Sequence, residues 1–500
     1  MKTKRILSML LAAMMLLSAV SCASGDKDTT DPANAETTEA ETTAEPEVYY
    51  LDALSDKTFG GIVFTMIGED KEQRPNFCAQ EETGNVINDV VYKRQMKLEE
   101  RYKIDVEYSS QSSRGNANSA IQAAIAANDD TYDLIFNSMT DGANNLILEG
   151  GVEDMAALPY LDFSKPWWSQ TMLNDFNYKG HTYLAVGASS PSYYLSASVT
   201  LYNIDEATNY NLPDLYALVR EGKWNVDKMG DLMKTTRKDL NGDGAVDATN
   251  DFLPLVLSSE IGRNLYVSAG GRAVTRTEDG GFALTIGNQN SINTLDKLRG
   301  VFANADNVKV QDSSSKKINE FVTGHTMFAM TAMMFANVEL RGMEAMYGVL
   351  PLPKLDEKQD DYITCGNPYA PCGMCIPRSA TNVEMSALIA EAMGFLGEEI
   401  VRPGVYDVTL HGKLAQDPQS SEMLEIIYRD IVFDIAACYE FGASSLSKNS
   451  RSYVVGKTDN FVSHYAENET SAKEAIKEMT DALEQIFNRE PENTAAAAGK

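Results

Sequence analysis

The chain has 500 residues and a net charge of −29 at neutral pH. So acidic a chain repels phosphate backbones and anionic headgroups, which argues against nucleic-acid binding and leaves neutral or cationic ligands, or solubility alone, as the meaning of the charge. The length is too great for one ordinary core and predicts two or three lobes.

Lys2, Lys4 and Arg5 precede an apolar run from Ile6 to Leu17 and the small residues Ala19-Val20-Ser21, the pattern of a secretory leader. Cys22 follows directly. The four residues Ala19 to Cys22 resemble a bacterial lipobox, whose Cys is acylated and becomes the new N-terminus, although Ala19 stands where Leu is usual. Residues 1–21 are expected to be a signal peptide and Cys22 a lipidation site carrying palmitate-like chains on the outer face of the cell membrane. Each buried methylene contributes about 0.8 kcal/mol, so two or more chains anchor firmly. No later stretch approaches the roughly 20 apolar residues that a spanning helix needs. Loss of the three leader cations takes the net charge to −32. Residues 23–49, rich in Thr, Glu and Ala, have little to bury and are expected to form a disordered tether.

The body alternates strand and helix patterns. Residues 59–67 read as an apolar strand, and 85–103 as a helix carrying Val90, Val91, Leu98 and Tyr102 between charges. Ile104, Val106 and Tyr108 alternate as a strand; 119–127 is Ala-rich and helical; 132–137 is a buried strand. This order predicts βαβ units and a mainly parallel sheet, where ligands bind beyond the carboxyl ends of strands. Near the other end, Ser471 and Glu474 read as a capping box before a helix with Ala475, Ile476, Met479, Leu483, Ile486 and Phe487 on one face. Residues 491–500 read as a frayed, disordered tail.

Asp239, Asn241, Asp243 and Gly244 match positions 1, 3, 5 and 6 of an EF-hand calcium loop, an alternation that turns oxygens toward a hard cation. Ala245 supplies a carbonyl at position 7 and Asp247 falls at position 9. Position 12, normally Glu, is Asn250, which weakens the site or shifts the last ligand to Asp251 or elsewhere. A bound calcium ion is expected, the competing reading being a solvated Asn/Gly turn. Cys372-Gly-Met-Cys375 has the spacing of zinc and redox sites but lacks a second pair. Cys365, Cys372 and Cys375 are expected as buried small hydrophobes, with one disulfide left open. No H-E-x-x-H, G-x-S-x-G, G-x-x-x-x-G-K-[ST] or G-x-G-x-x-G is present, which fits a binding protein and no enzyme.

Several phrases follow one another in a telling order. They are 82–89 leading to Tyr102-Lys103-Ile104, Tyr132-Asp133-Leu134 leading to Asn137, Lys165-Pro166-Trp167-Trp168 followed by 178–183, 222–227, and 347–354. Over roughly residues 50–490 the chain resembles the extracellular solute-binding proteins of ABC importers, the family 1 group that binds carbohydrates. The resemblance implies an α/β, two-lobed periplasmic-binding-protein-like fold (type II) with a hinge. It places 50–160 and about 316–368 in lobe 1, and about 161–315 and 369–490 in lobe 2. It also implies a monomer that closes on a small-molecule solute, most simply an oligosaccharide, and docks on the permease subunits of the transporter.

Sugar rings want flat aromatic faces and planar polar groups. Tyr193, Tyr194, Tyr369 and Tyr439 are the aromatic candidates; Trp167 and Trp168 read as packing groups. Glu69, Asp70, Ser138 and Asp141 follow strands, and Gly271 and Arg272 resemble a family loop near the ligand. The competing readings are the same fold holding a peptide, polyamine or other solute, and a cell-surface glycan-active enzyme.

Overall fold

The computed structural model describes residues 49–69, 77–140, 142–244, 246, 250–312, 316–370, 372–410, 418–429, 431–439 and 443–488. The leader, Cys22, most of the tether, Asp70, Asp141, Ala245, Asp247 and the tail lie outside them. The chain divides into residues 1–48 and the unit Tyr49–Lys500, and the second is described below.

Two βαβ crossovers open the unit. β1 (Ile62–Glu69) is followed by α1 (Val86–Tyr102), β2 (Ile104–Gln111), α2 (Arg114–Ala127) and β3 (Leu134–Asn137). Asn85 starts α1 by accepting from the N–H groups of Ile87 and Asn88, and Ser113 caps α2 through the N–H of Asn116. Ile87, Val91, Leu98 and Tyr102 are the buried stripe of α1, at helical spacing. β2 and β3 flank β1 and both run parallel to it. The register brings Glu69 beside Gln111 and Gly68 beside Phe136, so the carboxyl ends of all three strands share one edge.

The chain then builds a second sheet from β4 (Ser198–Asn203), α3 (Val226–Thr235), β5 (Leu253–Ser258), α4 (Ile261–Ser268), the hairpin of β6 (Val274–Arg276) and β7 (Phe282–Leu284), α5 (Gln289–Phe302), β8 (Val308–Gln311), β9 (Thr326–Ala332) and β10 (Tyr347–Pro351). Its order is β10-β4-β9-β5-β8. β5 is parallel to both neighbours, whereas β4 is antiparallel to β9 and β10, so this sheet is mixed. Segment 316–368, expected with 50–160, instead supplies β9 and β10 here: all seven residues of β9 are buried, as the central strand requires. After β11 (Thr364–Cys365) the chain returns, and β12 (Gly373–Cys375) pairs antiparallel with β3. The segment after 369 therefore opens in the first sheet, not the second.

α6 (Val383–Leu396) packs on α1; β13 (Ile431–Val432) pairs parallel with β11; α7 (Ala443–Val454) packs on α4 and α5. α8 (Phe461–Phe487) corrects the capping-box reading. It begins at Asn460, which caps Ser463 N–H, and Ser471 lies inside it with its hydroxyl on the carbonyl of Asn468. Ile476, Met479 and Leu483 are buried as expected. None of the described helices is long and apolar enough to cross a membrane.

The two sheets are joined by hydrogen bonds among three segments. Asn367 N–H donates to Ser196 O at 2.9 Å and Gly366 N–H to Val432 O at 2.8 Å, beside the β11–β13 pair. A second anchor lies where the chain leaves the first sheet. Glu391 on α6, fully buried, accepts from Tyr50 Oη at 2.7 Å, Trp168 Nε1 at 3.0 Å and Asp162 N–H at 3.2 Å. Trp167 packs edge-on against Tyr50 and Phe395. The Trp pair is thus a packing feature.

Asp133 ties β3 to β1 by accepting from Thr65 N–H at 2.7 Å. Burial pushes its carboxyl up to about 6 from 3.8. A folded value above the unfolded one means that ionisation weakens the fold: the cost is absent below about pH 4 and complete above about pH 6. Asp133→Asn is expected to exceed the parent in stability by about 1–2 kcal/mol at pH 8, after allowance for solvent screening at its rim, and to match it at pH 4. Urea midpoints at the two pH values check this; a constant difference would contradict it.

Candidate functional site

The shared edge of β1, β2 and β3 gathers polar groups. Glu69 ends β1 with 1 % of its surface exposed. Asn137 ends β3; its Nδ2 donates to Asn118 Oδ1 at 2.6 Å and its Oδ1 accepts from Ser138 N–H at 2.9 Å. Ser138 Oγ donates to the carbonyl of Thr140, and Met139 N–H donates to Pro368 O at 3.1 Å. That last bond carries Tyr369 to the strand end. Arg114, at the start of α2, donates to Thr140 Oγ1 at 3.1 Å and lies 5.0 Å from the centre of the Tyr369 ring. The Tyr369 ring is half-buried, so it offers a flat face beside hydrogen-bonding groups. The structure thus brings Glu69, Ser138 and Tyr369 to one rim, while Asp70 and Asp141, next in the chain, lie outside the described residues. A cavity lined by Cys78, Gln95, Glu107 and Tyr108 runs instead along the outer edge of β2, within the first sheet alone.

The other aromatic candidates have packing partners. Tyr193 Oη accepts from Ile431 N–H at 3.3 Å, and Tyr194 donates to Glu398 Oε2 at 3.1 Å, its own titration pushed well up by burial. Their rings pack edge to face. Tyr439 is buried against Phe176 at 5.6 Å between ring centres. Gly271 and Arg272 close the end of α4: a side chain at Gly271 would collide with the Tyr266 ring, and Arg272 Nη1 donates to Val267 O at 3.1 Å and Gly271 O at 2.8 Å.

In the acidic loop, Asp239 accepts from Gly242 N–H at 2.6 Å and Gly244 N–H at 2.9 Å. Asp251 accepts from Leu240 N–H at 2.8 Å, and Asn241 Nδ2 donates to Asp243 Oδ2 at 2.9 Å. The described members turn on their own backbone amides, and no three His, Cys, Asp or Glu side chains among the described residues gather as a metal site. Ala245 and Asp247 are not among them. Cys78, Cys365, Cys372, Cys375 and Cys438 are all buried free thiols. Cys372 and Cys375 are fully buried, as expected of small hydrophobes, and burial pushes their thiols up to about 12.

Two residues beside the β11–β13 pair escape any motif. Arg263 follows the carboxyl end of β5, in the first turn of α4. One turn further on, Val267 packs with Cys365 and Val432, which lays this face of α4 over the β11–β13 pair. Asp434 stands two residues beyond β13. The charges of both bear on the thiols of Cys365 and Cys438. Arg263 is 3 % exposed and Asp434 2 %. Arg263 makes no ion pair and no hydrogen bond with any described residue, and its Nε and Nη2 are buried. Asp434 Oδ2 accepts from Ser447 Oγ at 2.7 Å, while Oδ1 is buried without a partner. The next residue on α4, Asn264, donates to Ser198 Oγ at 2.7 Å and keeps Oδ1 open.

Two α/β lobes, each with its own sheet, joined by several hinge segments define the fold of ABC transporter solute-binding proteins. No family model and no curated protein matches the sequence. Solved structures match in fold. UspC of Mycobacterium tuberculosis aligns at 14% identity and a TM-score of 0.54, over 83% of this chain and 100% of that one. UgpB of the same organism, solved with glycerophosphocholine, aligns at 13% and 0.51, over 86% and 99%. The galacto-N-biose/lacto-N-biose I-binding protein of an ABC transporter of Bifidobacterium longum, solved with lacto-N-biose, aligns at 10% and 0.52, over 84% and 98%.

Proposed function

We propose that this chain is an extracellular receptor that captures a carbohydrate between the rims of its two sheets and delivers it to an ABC permease without chemical turnover. The observation that carries this reading is the coincidence of fold with solute-binding proteins over essentially their whole length, one of them solved with a disaccharide. A rim of polar side chains around the half-buried ring of Tyr369 supports it, since a pyranose face needs a flat apolar partner and its hydroxyls need fixed donors and acceptors. The UgpB match favours, as a second reading, a phosphodiester such as the one that protein was solved with. Cys22 and residues 23–49 would hold the receptor near its permease as a lipid-anchored monomer on the outer face of the membrane.

Calorimetry with a panel of mono- and oligosaccharides is expected to give heat and a raised melting temperature for at least one, with no sugar released from polysaccharide. Binding of peptides or polyamines alone would refute the substrate class. Cys22→Ser is expected to release intact protein into the medium; retention on cells would refute the anchor.

A further inference from the structure

A buried charged group whose polar atoms lack hydrogen-bond partners is expensive, and a ligand site is one place where folded chains keep such a group. Arg263 and Asp434 are such groups, set near the β11–β13 pair, one a turn before Val267 and the other two residues beyond Val432. We propose that Arg263 and Asp434 are the specificity pair of the solute site, and that they hold a neutral polyhydroxylated group, such as adjacent hydroxyls of a sugar ring. The inference rests on the receptor reading above and adds to it both the residues and the charge of the ligand.

The argument is one of complementarity. Arg263 has only donors to give, and Asp434 Oδ1 only accepts. A ligand that satisfies both must accept at one atom and donate at a neighbouring one, which is what vicinal hydroxyls do. The two charges cancel, so a neutral ligand leaves the buried site neutral. A carboxylate or phosphate would answer Arg263 but face Asp434, and a cation would face Arg263. Two other charged groups on or beside this helix are already engaged. Arg272 holds the carbonyls at the far end of α4, and Glu260, just before α4, binds Lys317 at 2.9 Å. Because Asp434 follows a hinge strand, filling this site also favours the arrangement in which the hinge segments lie close, which is the coupling a receptor needs.

The test uses the mature protein, Arg263→Met and Asp434→Asn, titrated with neutral oligosaccharides, galacturonate oligosaccharides, glycerophosphocholine and triglycine. Neutral saccharide is expected to bind the parent, and each variant to lose roughly 10- to 100-fold in affinity. Without ligand, the double variant Arg263→Met, Asp434→Asn is expected to melt no lower than the parent, because it removes both buried charges together; a purely structural pair would give a lower melting temperature. Arg263→Lys serves if the Met variant does not fold, and is expected to lose affinity as well, since an ammonium lacks the planar fork. Variants that bind neutral saccharide as tightly as the parent would overturn the pair and leave the receptor standing. Binding of only the galacturonates or glycerophosphocholine would overturn the neutral ligand. Binding of only triglycine would overturn the carbohydrate reading itself.

Discussion

Glu391→Ala is expected to cost about 3–5 kcal/mol of folding stability, the range for removing one partner from a buried charged network. The carboxylate gathers the hydroxyl of Tyr50, the indole N–H of Trp168 and the backbone N–H of Asp162, from three separate stretches of chain. Alanine leaves all three donors without this acceptor, the indole N–H of Trp168 fully buried, and opens a cavity in the space of the lost side chain. Glu391→Gln has the same shape. Its amide can point at Tyr50, whose hydroxyl then accepts instead of donating, while the remaining oxygen keeps Trp168 and Asp162; its cost should be about 1 kcal/mol. Burial raises the carboxyl of Glu391, so its ionised form weakens the fold as pH rises through the folded value, and the gap between parent and Glu391→Gln should narrow with it. Denaturant midpoints for the three proteins decide the matter. A loss below about 1 kcal/mol in the Ala variant would show that the donors find other partners.

The parts legible in the sequence are those set by local rules. Asn85 and the stripe of Ile87, Val91, Leu98 and Tyr102 mark α1, and alternation marks β2, because capping and periodicity are written within one turn or one strand. The start of α8 was not legible. Ser471 and Glu474 carry a genuine capping signature, but the stretch before them, Glu467-Asn468-Glu469, is polar only on the exposed side of a helix whose buried stripe continues through Ala472 to Phe461. Sheet membership of β9 and β10 depends on pairing with strands more than a hundred residues away, which no window can show. At the site, Glu69 and Ser138 follow from strand ends, and Tyr369 from being an aromatic residue near an expected crossing between lobes. Tyr193 and Tyr194 look available beside a Ser- and Gly-rich segment but form a short buried helix. Arg263 and Asp434 carry no motif, since whether a charge is buried and unpaired is decided only by the folded surroundings.

Gly366→Ala is expected to damage the protein in two ways at once, if the segments that join the two sheets act as the hinge of the proposed receptor. Gly366 lies where those three segments meet, donating its N–H to Val432 O. A methyl there would sit 2.5 Å from the ring of Phe433 and 2.8 Å from Ser196 Oγ. Phe433 is fully buried and has no room to move aside, so the segments must part, at a cost of about 1–3 kcal/mol typical of overpacking. If closure brings Ser196 and Ile431–Phe433 together, the wedge opposes the closed state more than the open one. Each 1.4 kcal/mol of that difference lowers apparent affinity about tenfold. Trimming the ring should give part of this back: the double variant Gly366→Ala, Phe433→Leu is expected to show a coupling of about 1 kcal/mol relative to the two single changes. Small-angle scattering with and without saccharide separates the two effects, since the single variant should stay expanded at a ligand concentration that compacts the parent. If Gly366→Ala melts, binds and compacts as the parent does, these segments are not the hinge. The coupling between Asp434 and closure would then have to run through the packing of α4 on α7 instead.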